Sequence, residues 1–118
     1  MTSTIASTTI ADERFEVRLN ELTLLKKGWY DGEQGDVIDI QTLTNARHLL
    51  RVLLMNHPSM HGPAVTATCE GGVCLSWPTF SATFCDCDTV IIVSDGKSKE
   101  LDFSVDFKKI LSEIAAKQ

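Results

Sequence analysis

The chain has 118 residues, of which 43% are hydrophobic and 23% charged, and 16 acidic against 11 basic residues leave a net charge of −5. A chain of this length buries one core without metal or disulfide staples, and the acidic balance argues against broad, charge-driven nucleic-acid binding. No apolar run is longer than Val90 to Val93, far short of a bilayer span, and the N-terminus has neither a basic start nor a long apolar stretch. A cytoplasmic protein with reduced cysteines, without direct nucleic-acid or membrane contact, is the expectation.

Residues 1–10 are rich in Ser and Thr and read as a flexible tail, with residues 11–118 forming a single domain. From Asp12 to Lys27, Phe15, Leu19, Leu22 and Leu25 or Lys26 recur at steps of three and four, which predicts an amphipathic helix. Lys26 and Lys27 in its last turn and Gly28 just beyond suit a helix C-terminus. Three glycines between Gly28 and Gly35 then forbid a regular element, while Trp29 and Tyr30 offer anchors against the core. A second helix runs from about Ile40 or Thr42 to Asn56, with Asp39 as its cap, a stripe of Leu43, Ala46, Leu50, Leu53 and Leu54, and His57-Pro58 as its stop.

The stretch Val65 to Trp77 predicts a hairpin. A three-residue loop Glu70-Gly71-Gly72 with one left-handed glycine pairs Val65, Ala67 and Cys69 with Trp77, Leu75 and Val73. That register puts the apolar residues on one face and Thr66, Thr68, Cys74 and Ser76 on the other, sorting that a one-residue slip would undo. Pro78-Thr79 reads as a turn, Phe80, Ala82 and Phe84 as the inward side of a third strand, and Val90 to Val93 as a fourth. Ser94 to Lys97 makes a hairpin turn, and Glu100 to Phe103 a fifth strand. Asp106 to Lys117 is a final helix, with Phe107, Ile110, Leu111 and Ile114 on one face and Ser104 as its cap. The fold class expected is α+β: an antiparallel meander of four to five strands, with two N-terminal helices and one C-terminal helix packed on one face.

Two segments, Gly28-Trp29-Tyr30-Asp31-Gly32-Glu33-Gln34-Gly35 before a leucine-rich helix and Gly71-Gly72-Val73-Cys74-Leu75-Ser76-Trp77, resemble a "GW-x-DGEG" loop and a "DGG-[IV]-x-LEW" hairpin. Together they resemble a set of small uncharacterised bacterial and phage proteins that carry both motifs in this order, over roughly residues 22 to 96. The chain differs in having Ser76 where the set usually has Glu, Glu70 in place of the turn Asp, and Gln34 inserted before Gly35. The resemblance implies the fold and carries no activity with it; a phage setting would make a host-defence inhibitor a natural role.

Four residue groups bear on chemistry. Cys69, Cys74, Cys85 and Cys87 fall near one end of the predicted sheet and are the zinc candidates, since thiolates in a tetrahedron suit that ion. Their spacing matches no ribbon or finger, and Cys69 is expected to face the core while Cys74 and Cys85 face away, so no cofactor or metal is expected. Asp31, Glu33, Asp36 and Asp39 are close in sequence, but position six of a calcium loop would be Asp36 rather than glycine and position twelve Thr42 rather than glutamate. His48, His57 and His61 lack the surroundings of a cysteine or serine hydrolase, and the Gly28–Gly35 loop lacks a phosphate-loop lysine.

The reading is a non-enzymatic module that binds a protein partner with a basic surface, Trp29 and Tyr30 supplying contact area and Asp31, Glu33, Asp36 and Asp39 the charge. An anti-CRISPR-type phage inhibitor is one form of it. The alternative is a metal- or thiol-dependent site at the cysteine end of the sheet, and a homodimer through an exposed sheet edge also stays open.

Overall fold

Residues 15–30, 32, 34–60 and 62–118 are described by a computed structural model. Helix α1 includes residues 15–22, and α2 spans Ile40–Asn56. Five strands follow, β1 Ala64–Ala67, β2 Val73–Ser76, β3 Phe80–Phe84, β4 Thr89–Ser94 and β5 Lys97–Asp102, and α3 Phe107–Ala116 closes the chain. The sheet is an antiparallel meander in the order β1-β2-β3-β4-β5, the α+β architecture that the patterning predicts.

The period-two alternation decides which side the helices cover. Val65 opposes Leu75, Ala67 opposes Val73, Phe84 lies between Val73 and Val90, and Leu101 opposes Val90. All of these but the half-buried Ala67 are buried, and they join Leu43, Ala46, Leu49, Leu50 and Leu53 of α2 and Ile110 and Ile114 of α3 in one core. The other face carries Thr66, Cys74, Ser76, Ser81 and Thr83, exposed or half-buried.

The hairpin has the expected sorting but not the expected partners. Val65 pairs with Leu75, not Trp77, and Ala67 with Val73, not Leu75. The shift is even, so every side chain keeps its face. The loop is still three residues with a left-handed glycine, but it consists of Cys69, Glu70 and Gly71 (φ +88°), which takes Cys69 out of the strand. Thr68 and Gly72 exchange the closing contacts: the Thr68 N–H donates to the Gly72 carbonyl (3.0 Å) and the Gly72 N–H to Thr68 Oγ1 (2.8 Å). Gly72 must lack a side chain there, because a Cβ would collide with the Phe84 carbonyl oxygen.

Other boundaries also differ. Regular α-helix ends at residue 22 rather than at Lys27, because Thr23, Leu24 and Leu25 each donate three residues back and Thr23 Oγ1 takes the Asn20 carbonyl as well (2.6 Å). Gly28 (φ +87°) therefore opens the following loop instead of stopping the helix. β5 starts at Lys97, because the left-handed pair Asp95 (φ 54°) and Gly96 (φ 74°) turns the chain in two residues. The cap of α3 is Asp106, not Ser104: Asp106 accepts the Asp102 N–H and Asp102 accepts the Val105 N–H, a reciprocal turn that bypasses the serine.

Polar links fix the helix layer. Glu16 on α1 accepts Arg47 Nε (2.9 Å) and Arg51 Nε (2.6 Å) from α2, and Arg47 also reaches Asn20 (2.8 Å). Arg18 Nε donates to the Val65 carbonyl on edge strand β1 (2.7 Å). β5 at the far edge carries exposed Lys97, Lys99, Glu100 and Asp102, the kind of charged side chains that make an edge strand a poor template for pairing with another chain.

Candidate contact surface

The loop after α1 closes on itself. Gly28 N–H donates to the Gly35 carbonyl (2.7 Å), Tyr30 N–H to Gln34 (2.9 Å) and Gly32 N–H back to Gly28 (2.7 Å). Trp29 is its inner post: the indole Nε1 donates to the Asp36 carbonyl (2.9 Å), and Gly35 lies so close that a Cβ would sit 2.9 Å from the indole. Tyr30 is edge-on to Trp29, ring centroids 6.0 Å apart, and 62% exposed. Of the pair taken together as contact residues, Trp29 holds the loop and Tyr30 faces out.

The chain then runs extended from Asp36 to Asp39 against the hairpin tip. The Asp36 N–H donates to the Cys69 carbonyl (2.7 Å) and the Asp39 N–H to the Gly71 carbonyl (3.0 Å). Ile38 turns into the core, and Val37 (55% exposed) and Ile40 (63%) stay out. Asp36 is exposed, while Asp39 Oδ2 accepts the Thr42 N–H (2.9 Å) and Oγ1 (2.7 Å) and so caps α2. Asp31 and Glu33 lie outside the described residues.

Docking on the hairpin tip puts exposed Glu70 beside this segment. The Cys85–Asp88 connection adds Asp86 and Asp88 nearby, since Asn45 near the start of α2 donates to the Cys87 carbonyl (2.8 Å). Asp86 Oδ1 accepts the N–H groups of Asp88 and Thr89 (2.8 Å each), and these bonds hold its carboxyl below the usual carboxylate range. Patterning alone does not find Val37, Ile40 and Glu70 as members of this surface. The available signal was that Val37 and Ile38 are adjacent in an extended segment, so only one can face the core.

The four cysteines are free thiols. Cys69 sits in the hairpin loop, Cys74 lies on the helix-free face in contact with Thr83 and Ser76 (3.5 Å each), Cys85 is half-buried and Cys87 exposed. Burial first, then the charges of Asp86, Glu100 and Glu70, push the Cys85 thiol up; Asp88 is the main cause of the same shift at Cys87. Among the described residues no three of His, Cys, Asp and Glu are placed to hold a metal ion. His48 stacks on Phe107 (5.3 Å), the His57 N–H closes the end of α2 on Leu53, and His61 lies outside the described residues.

Among the described residues no helix is long and apolar enough to cross a membrane. No family model, no curated protein and no solved structure matches the chain.

Proposed function

We propose that this protein is a non-enzymatic binding module that captures a protein with a basic surface through the end of the fold where the Trp29–Asp39 loop meets the hairpin tip. The observation that supports this is the pair of backbone hydrogen bonds from Asp36 to Cys69 and from Asp39 to Gly71, which unites two segments of chain into one surface. Tyr30, Val37 and Ile40 supply exposed apolar area on it, and Asp36, Glu70, Asp86 and Asp88 surround that area with negative charge. Desolvated aromatic and aliphatic anchors give affinity, and acids at the rim steer a basic partner and set its orientation. Asp31 and Glu33, on either side of Gly32 in the sequence, add to the acidic count of this stretch. A phage-encoded inhibitor of host defence, of the anti-CRISPR kind, is one form such a module takes, with the acids occupying a nucleic-acid-binding groove of the partner. The resemblance to small uncharacterised bacterial and phage proteins carries no activity with it, and that form depends on a phage setting. A cytoplasmic setting belongs to the same reading.

The test is affinity capture from host lysate at low salt, with the wild-type chain beside an Asp36→Lys/Glu70→Lys variant. The wild type should retain a basic protein that the variant loses, at unchanged melting temperature. An identical set of retained proteins would remove the proposal.

A further inference from the structure

At the opposite end of the sheet, a groove of about 340 Å³ runs between the β4–β5 hairpin and the C-terminal half of α3. Three lysines, Lys97, Lys99 and Lys117, line it together with Ser94, Ser98 and the buried Ile92. Lys99 is fixed by Glu113, its Nζ 2.7 Å from Oε1. That bond, with the charges of Lys99, Lys117 and Lys109, holds the Glu113 carboxyl below its usual range, so Glu113 stays ionised and keeps Lys99 over the groove. A second depression on α3 shares Glu113 and Lys117 with it and is lined also by Lys109 and Ser112. Lys97, Lys109 and Lys117 take part in no ion pair with the described residues. Asp95 and Glu113 are the opposing charges on the walls, and they leave an excess of cations in a chain whose net charge is −5.

We propose that this groove is a binding site for a small, multiply charged anion bearing phosphate or carboxylate oxygens, independent of the partner surface at the other end of the fold. Lys97 and Lys99 on β5 and Lys117 at the end of α3 line one groove, so a ligand with two or more anionic groups can meet lysines of two different elements. The serine hydroxyls add neutral donors between them, and lysine is a point-charge donor that accepts phosphate and carboxylate alike. The volume is at the lower end of the range for metabolite sites and excludes a folded protein domain. It suits a diphosphate or a tricarboxylate.

The experiment is an NMR titration of the full chain with inorganic pyrophosphate and, separately, with citrate, each against sodium chloride at matched ionic strength. Saturable amide shifts confined to residues 94–99 and 109–117 with either anion support the site, and the anion that produces them says whether phosphate or carboxylate is the preferred group. Binding should weaken by about tenfold or more in Lys97→Glu/Lys117→Glu, and in Lys97→Gln/Lys117→Gln, whose remaining amide spectrum stays that of the wild type. Shifts reproduced by chloride, shifts that do not saturate, or affinity unchanged in both variants would overturn the proposal.

Discussion

The carbonyl oxygen of Gly71 accepts the Asp39 N–H at 3.0 Å, and the α-carbon of the same glycine faces the Val37 carbonyl, where a Cβ would stand 2.7 Å away. One residue therefore turns the hairpin, receives the segment leading into α2, and leaves no space for a side chain between them. That contact is why the acidic loop and the hairpin tip form a single surface.

Gly71→Ala should accordingly cost more than a left-handed alanine alone. Gly96 is a matched control, since it also has positive φ (+74°) but nothing within 4 Å of the place a methyl group would take. Gly96→Ala should lose about 1–2 kcal/mol from backbone strain, and Gly71→Ala should lose more, with faster amide exchange at Asp36 and Asp39. Equal losses in urea unfolding would mean that the approach to Val37 is not tight.

The two faces of β2 make a second comparison. Leu75 is fully buried and Cys74 lies on the helix-free side. Leu75→Ala should destabilise by about 2–5 kcal/mol, and Cys74→Ala by about 0.5 kcal/mol or less. A reversal of that order would place the core on the wrong side of the sheet.

Acid should weaken the fold partly through Asp86 and Glu113. Each has a folded-state pKa lowered from its ordinary value, so each contributes stability that is present above the unfolded pKa and lost as pH falls through the folded one. Asp86→Asn removes the charged acceptor of the Asp88 and Thr89 N–H groups. It should lower the melting temperature at neutral pH and flatten the decline on acidification. A parallel decline in both proteins would deny Asp86 that role.

Thiol reactivity follows from position and charge. Cys87 is exposed, so iodoacetamide should reach it first, yet its raised pKa keeps little thiolate at neutral pH. Asp88→Asn removes the largest cause of that shift and should speed alkylation of Cys87 relative to Cys69, followed by mass spectrometry. An unchanged ratio would contradict the electrostatic cause.

How much of this was legible depends on whether local pattern or tertiary contact makes the decision. Leu43, Ala46 and Leu50 mark α2, and Phe80, Ala82 and Phe84 mark β3, because a buried stripe repeats at the period of its own backbone. Asp39 was legible as a cap for the same reason, its partner Thr42 being three residues away. The hairpin register was legible only to within two residues. Alternation fixes parity, whereas the exact pairing depends on Gly72, just before β2, lying against Phe84 of β3, a contact that no hairpin pattern contains. The end of α1 is not legible in the spacing, because the Thr23 hydroxyl donates to the Asn20 carbonyl, at odds with the helical recurrence of Leu22 and Leu25. At the contact surface, Tyr30 and Asp36 could be named from composition. Val37, Ile40 and Glu70 could not, because docking on Cys69 and Gly71 assembles them.

The most direct test of the proposed partner surface is hydrogen–deuterium exchange on the wild-type chain, free and with the basic protein retained in the affinity capture. Protection should rise together in residues 28–40 and 69–71, with no change on the Cys74–Thr83 face of the sheet. Protection confined to that sheet face or to α1, with residues 28–40 unaltered, would contradict the account.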